Sequence, residues 1–324
     1  MELIRVDNLV KRFGELTAVD HVSFSIEEGE IFGFLGPNGA GKTTTLSILS
    51  TLLSPTSGEA YVNGYDVKKH QDDVRRSIGV VFQDPTLDEE LTAYENMSIH
   101  SRLYGMKDYK KKINELLELV ELGPWKKKLV KTFSGGMKQR LEIARGLLHE
   151  PRILFLDEPT LGLDPQTRNH LWDYIKRMNE EKKVTIILTT HYMDEADKLS
   201  DRVAIIDQGK IIAMNTPMAL KENLGGSVIR IESDQSSKVK EILSGVEWIQ
   251  HITIHNGFTD INLQHAEKRI ATIIKMLNHV SIESVSLRIP SLEEVFLNYT
   301  GRTIREREAS AKDRMRQYSR SRRR

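Results

Sequence analysis

The 324-residue sequence contains no cysteine, so no disulfide holds it together, and no apolar run long enough to cross a bilayer. Stretches such as Ile153 to Leu156 and Ile186 to Leu188 fall far short of the ~18 residues a span needs. The opening Met1-Glu2-Leu3-Ile4-Arg5 lacks the basic region, apolar core and small-residue cleavage site of a secretory leader. These absences are those expected of a cytosolic chain. The polarity and charge imbalance of a disordered protein is missing too. Hydrophobic residues at 39% and charged residues at 29% make an ordinary globular balance, at a length that suits about two domains.

The formal charge of +1 is unevenly spread. Residues 301 to 324 hold ten Lys or Arg against three Asp or Glu, net +7, which leaves 37 against 43 and net −6 in residues 1 to 300. An acidic body therefore ends in a basic tail. Such a block is usually solvated, and less often a surface for phosphate or anionic lipid.

Alternating Leu3 to Val10 and Val19 to Ile26, joined through Phe13-Gly14-Glu15, predict an antiparallel hairpin. Ile31 to Leu35 is apolar on both faces, as a buried strand is, and Lys42 to Leu53 has the composition of a helix. Further strands are expected at Ala60 to Val62, Ile78 to Phe82, Ile153 to Leu156, Val184 to Leu188 and Val203 to Ile206, mostly with helices between them. That alternation predicts an α/β sheet covered by helices. Leu91 to Leu122 offers helical spacing and no strand, which marks a helical insertion.

Gly225-Gly226 marks a boundary, and the order βαββαβ follows: Val228 to Glu232, Lys238 to Leu243, Ile249 to His255, Phe258 to Leu263, Ala266 to Leu277 and Ile282 to Ile289. An Asn256-Gly257 turn joins the middle strands, and the order suggests a ferredoxin-like α+β unit. Ser291-Leu292-Glu293-Glu294 has capping-box spacing for a last helix through Tyr299. The expected divisions are 1–225, with the insertion over about 86–134, then 226–300, then the tail 301–324.

Gly36-Pro37-Asn38-Gly39-Ala40-Gly41-Lys42-Thr43, followed by Thr44, fits the phosphate-loop pattern. Its glycines let backbone N–H groups wrap a polyphosphate, Lys42 brings charge to the β and γ phosphates, and the Thr43 hydroxyl can ligate magnesium. Ile153 to Leu156 runs into Asp157 and Glu158, an apolar strand ending in two acids. As strand neighbours these carboxylates are expected to point to opposite faces and to serve different ends. Ser134-Gly135-Gly136 opens a helix, with Ser134 as its N-cap, and makes a second anion-binding helix end.

With these motifs in order, residues 1 to 225 resemble an ATP-binding cassette (ABC) ATPase: a P-loop core, an antiparallel β subdomain and a helical insertion. The resemblance implies that Phe13 stacks on adenine, that Gln83 is the Q-loop glutamine, and that Phe133 to Met137 is the signature motif. It makes Asp157 the Walker B aspartate holding magnesium, Leu161 to Asp164 the D-loop and His191 the switch histidine. Lys42, Thr43 and Gln83 are then placed around phosphates and magnesium, with Glu158 on the attacking water. The signature departs from the family, since Met137 stands where a glutamine is usual, while Ser134 and Gly136 are intact.

The family mechanism closes two cassettes head to tail over two ATP molecules, so a second copy or a homologous ABC subunit is the expected partner. Residues 227 to 302 are similar to the C-terminal extension of daunorubicin-type drug-resistance export ATPases, which implies a separate ABC-2-type membrane permease and a place on the inner face of the membrane. Two readings of the small domain stay open, a regulator or lock of the dimer and a passive brace. The alternative function is a soluble ABC ATPase acting on nucleic acid or ribosomes. Only about fifty residues separate Gln83 from Ser134, too few for a coiled-coil repair ATPase, and ribosomal ABC factors commonly carry two cassettes. The tail has one aromatic, Tyr318, so nucleic acid is disfavoured as its partner and anionic lipid is the candidate contact.

Overall fold

The computed structural model describes residues 1–223, 227–255, 257–288 and 290–301. The Gly225-Gly226 boundary, Asn256 of the expected turn, Ile289 and the basic tail beyond Gly301 lie outside the described residues. The chain divides into two compact units, one from Met1 to Met214 and one whose described residues run from Asn215 to Gly301.

In the first unit, Glu2–Phe13 (β1) and Leu16–Glu27 (β2) form the hairpin, and Ile31–Leu35 (β3) leads to the helix Lys42–Leu49 (α1). Ser57–Val62 (β4), Tyr65–Asp66 (β5), Gln71–Ser77 (α2) and Ile78–Val81 (β6) follow. The insertion holds Ala93–Leu103 (α3) and Tyr109–Leu119 (α4), and Gly135–Gly146 (α5) returns the chain to Ile153–Asp157 (β7). Pro165–Lys182 (α6), Thr185–Thr190 (β8), Met193–Leu199 (α7), Arg202–Asp207 (β9) and Lys210–Asn215 (β10) complete it.

Two sheets result, an antiparallel one ordered β2-β1-β4-β5 and a six-stranded one ordered β10-β9-β3-β8-β7-β6. Strands β9, β3, β8, β7 and β6 pair in parallel. Every residue of β3, β7 and β8 is buried. Alternate residues of β7 explain why: Leu154 and Leu156 enter a core shared with the helical insertion, while Ile153 and Phe155 enter the core beneath the antiparallel sheet.

Phe24 on β2 fastens the two sheets. Its ring stacks on Phe32 at 5.6 Å and meets Phe34 edge-on at 5.1 Å. Such aromatic pairs add about 0.5–1.5 kcal/mol each beyond the area they bury. Within the insertion, Ile113, Leu116 and Leu117 of α4 are fully or almost fully buried, as their helical spacing predicts.

Three details differ from the sequence expectation. Helix α1 stops at Leu49 rather than Leu53, where Ser50 caps it and Thr51 turns left-handed at φ 64°. The two-residue β5 is too short to show a period. Strand β10 was missed, although Gln208 and Gly209, at φ 50° and 80°, make the two-residue positive-φ turn that hairpins favour.

The second unit contains Pro217–Glu222 (α8), Ser227–Glu232 (β11), Ser236–Leu243 (α9), Ile249–His255 (β12), Phe258–Leu263 (β13), Ala266–Met276 (α10), Ser284–Arg288 (β14) and Leu292–Thr300 (α11). Its sheet is ordered β12-β13-β11-β14 with every neighbouring pair antiparallel, the ferredoxin-like arrangement. Ile229, Ile231, Ile261 and Leu263 face Val239, Leu243 and Ile273 in one core. Ser291 and Glu294 form the expected capping box at the start of α11.

One packing feature carries a pH consequence. His100 of α3, Tyr104 and His149 make a ring stack with centroids 5.0 and 4.0 Å apart, beside Arg145. Burial, then the charges of Arg145 and His149, push the His100 imidazole down to about 4. A base held neutral in the fold contributes stability above its unfolded value near 6.5, and that contribution disappears as pH falls towards 4. The urea midpoint is expected to drop between pH 7.5 and pH 5, and to drop less in His100→Gln; an equal drop in both proteins removes this stack as the cause.

Candidate functional site

The polar side chains gather where the parallel strands end, the edge at which open α/β sheets bind ligands. After β3 the chain turns through Gly36 to Gly41 into α1. Gly41 has φ 104°, and a Cβ there would lie 2.4 Å from the Ala18 carbonyl oxygen, so only glycine fits. The first intrahelical bond runs from Thr45 N to Gly41 O at 2.9 Å. Lys42, Thr43 and Thr44 thus offer first-turn N–H groups that no helical carbonyl satisfies, an arrangement suited to phosphate. Pro37, Asn38, Gly39 and Ala40 form the rest of the loop, and Gly209 N donates to Ala40 O, tying it to the β9–β10 turn.

Lys42 is 4% exposed. Its Nζ donates to Gly36 O at 2.7 Å and Pro37 O at 3.3 Å and pairs with Glu158 Oε1 at 3.1 Å. The other Glu158 oxygen accepts from His191 Nδ1 at 2.7 Å. Burial raises the Glu158 carboxyl, but the His191 hydrogen bond and the Lys42 charge outweigh it and hold the group below the usual carboxylate range. The site therefore places an ionised carboxylate between a cation and an imidazole.

Asp157 has different partners. Its Oδ1 accepts from Thr43 Oγ1 at 3.0 Å and from Thr189 Oγ1 at 2.5 Å. The expected separation of the two carboxylates is present, but its cause is not strand alternation. Strand β7 ends at Asp157, and Glu158 takes a left-handed φ of 50°, held by its N–H to the Thr189 carbonyl and hydroxyl oxygens at 3.1 and 3.0 Å. That conformation costs roughly 1–2 kcal/mol in a non-glycine residue.

Gln83 lies two residues beyond β6, whose Val81 is in register with Leu156, so it stands at the same sheet edge. Its exposed side chain takes no part in the Lys42–Glu158–His191 bonding. Phe13 ends β1, 47% exposed, with Lys11 Nζ 5.0 Å above its ring.

Ser134 caps α5 by accepting from Met137 N at 3.3 Å. A Cβ on Gly136 would lie 2.3 Å from Thr167 Cγ2, so the signature glycine lets α5 approach the start of α6, while Gly135 faces Leu163. Asp164 caps α6, accepting from Thr167 Oγ1 at 2.6 Å and Thr167 N at 3.0 Å, bonds that hold its carboxyl below the ordinary range. A cavity of about 270 Å³ opens beside Ser134, Gly136, Arg140 and His170. Met137 packs against the insertion core, which suits its apolar side chain. Ser134 and Gly135 face outward, and among the described residues no hydrogen bond joins the signature to the Lys42–Glu158 cluster.

Thr189, Thr190 and Thr160 escaped the sequence reading, although all three are fully buried polar residues at this site. The hydroxyls of Thr189 and Thr190 end the strand that leads to His191, and Thr-Thr-His closing an apolar strand was the available signal.

A family model described as "ABC transporter" matches residues 19–161, and one described as "ATP-binding protein DrrA1-3-like, C-terminal domain" matches residues 216–300. The chain is 40% identical over 313 residues to the linearmycin resistance ATP-binding protein LnrL of Bacillus subtilis, covering 94% of this chain and all of the relative. It is 40% identical to the daunorubicin/doxorubicin resistance ATP-binding protein DrrA of Streptomyces peucetius, over 92% of each chain. Among solved structures, a dimeric ATP-binding cassette in a post-hydrolysis state bound to ADP and Pi superposes with a TM-score of 0.59 at 32% identity, covering 66% of this chain and 98% of that one. The glycine-bounded loop, the lysine and carboxylates behind it and these likenesses lead to one assignment: the chain belongs to the ATP-binding proteins of the ABC transporter family and is an ATPase.

Proposed function

We propose that this chain is the ATP-hydrolysing subunit of an exporter, closing as a dimer over two ATP molecules to drive a separate ABC-2-type permease. The observation that carries the reading is the buried Lys42–Glu158–His191 cluster beside the Thr43–Asp157 pair. Export is supported by the relatives' names, which specify resistance to linearmycin and to daunorubicin or doxorubicin. A permease on another chain is supported by the relatives, which are named as ATP-binding proteins and are matched over 92% or more of their length. Among the described residues no helix is long and apolar enough to cross a membrane. Such a subunit works at the cytoplasmic face of the membrane. The +7 tail supports contact with anionic lipid there.

In the proposed mechanism the first-turn N–H groups and Lys42 bind the β and γ phosphates, and Phe13 stacks on adenine. Lys42 exchanges its carbonyl and carboxylate partners for phosphate oxygens, which frees Glu158 to orient water and accept its proton. His191, held on Glu158, reaches the γ phosphate from the other side. Thr43 and Asp157 provide one hydroxyl and one carboxylate, a set that fits magnesium when phosphate oxygens and water complete the shell. Gln83 serves that shell from the sheet edge. Magnesium, when bound, supplies charge neutralisation between the phosphates. Each signature, through Ser134, Gly135 and Gly136 with Asp164 behind it, closes on the nucleotide of the other subunit.

Glu158→Gln is expected to keep ATP binding while turnover falls by about 10²–10⁴, the usual worth of a positioned base. In gel filtration with ATP and magnesium this variant shifts towards dimer; unchanged turnover removes Glu158 from the role.

Lys42→Ala should lose nucleotide binding itself. Ser134→Arg should bind nucleotide as a monomer and fail to close. Mixed together, the two variants form one composite site with both lesions and one with neither, so partial ATPase returns if a single intact site suffices. Full activity in either variant alone contradicts the composite arrangement.

A further inference from the structure

The switch segment that carries His191 does not stand alone. It continues into α7, and α7 lies along α6, the helix that Asp164 caps. The two helices meet through a ladder of unlike contacts. The Arg168 guanidinium sits 4.0 Å from the Tyr192 ring centroid, and Trp172 Nε1 donates to Glu195 Oε1 at 2.9 Å. Lys198 Nζ then lies 4.9 Å above the Trp172 ring. Arg168 and Trp172 are one turn apart on α6, and Tyr192 and Glu195 are three residues apart at the start of α7, so each pair shares a face.

Glu195 is fully buried, and the mechanism above makes no use of it. The Thr160 and Thr190 hydroxyls stand beside its carboxyl. Thr160 lies between Glu158 and the D-loop, and Thr190 immediately precedes His191. Among the described residues, Glu195 Oε2 and Thr160 Oγ1 are buried without a well-aligned hydrogen-bond partner. Buried polar atoms left unpaired cost free energy, so the Thr160 hydroxyl and the Glu195 carboxyl are suited to each other.

We propose that Glu195 is a positioning residue for ATP hydrolysis, linking Trp172 of the D-loop helix, Thr160 of the Walker B junction and the switch segment so that His191 is held on Glu158. Burial pushes the Glu195 carboxyl up, against the opposing pull of its Thr190, Trp172 and Thr160 hydrogen bonds. Its Oε1 accepts the indole N–H, a bond that the amide oxygen of a glutamine reproduces while the amide N–H group stays beside the threonine hydroxyls.

The inference rests on His191 acting at the site, so His191→Ala is the control in steady-state ATPase assays of the full chain. Glu195→Ala is expected to lower kcat by about tenfold or more while KM for ATP stays within about twofold, the signature of a lost contact that acts only in turnover. Glu195→Gln is expected to keep kcat within about twofold and the pH profile of the parent. Trp172→Phe, which keeps the ring and removes the N–H, lowers kcat in the same direction and adds nothing to Glu195→Ala. Should Glu195→Ala not fold, the glutamine and phenylalanine variants decide. A damaged Glu195→Gln overturns the reading that the carboxyl acts through its hydrogen bonds, and unchanged kcat in Glu195→Ala or in Trp172→Phe overturns the positioning role. Unchanged turnover in His191→Ala instead overturns the reading of the site itself.

Discussion

The ion pair between Lys42 and Glu158, closed on its far side by His191, is the interaction on which the site depends. Both charged groups are almost fully buried. Removing either alone leaves an uncompensated charge, which is strongly destabilising, whereas a pair of this kind contributes little net stability by itself. Its value lies in exchange. The lysine is held by two carbonyl oxygens and one carboxylate, and in the proposed mechanism phosphate oxygens replace them and leave Glu158 open to water.

The scaffold exists to hold that pair rigidly. Strands β3, β7 and β8 are buried on both faces, so their ends cannot drift, and each end delivers one part: the loop before Lys42, the two carboxylates and His191. The Phe24–Phe32–Phe34 cluster fixes the antiparallel sheet against this core, and that sheet contributes Ala18 beside Gly41 and Phe13 at its tip. On the opposite side the signature helix α5 and the D-loop helix α6 meet through Gly136 and Thr167, which accounts for a glycine where a cap residue alone would suffice.

Much of this was legible in the sequence because the motifs are local. The phosphate loop needs glycine at defined backbone positions, and the acid pair ends an unbroken apolar run, so short spacings carry most of the information. The βαββαβ order was readable for the same reason, since β11 and β13 alternate cleanly. What escaped depends on contacts distant in sequence. The left-handed turn at Glu158 is fixed by Thr189, thirty-one residues away, and the Trp172–Glu195 bond joins two helices through a carboxylate that looks solvated in a run of charged residues. Gln83 matched its motif by position, yet its side chain stays outside the buried cluster because the loop after β6 is exposed.

The most direct test is a structure of the Glu158→Gln chain with ATP and magnesium. It should contain two copies head to tail, with Lys42 Nζ about 2.7–3.2 Å from a β or γ phosphate oxygen rather than on Gly36 O. Ser134 of one copy should lie against the γ phosphate held by the other. Nucleotide bound with Lys42 still on the Gly36 carbonyl, or a closed dimer whose signatures face solvent, would contradict the account.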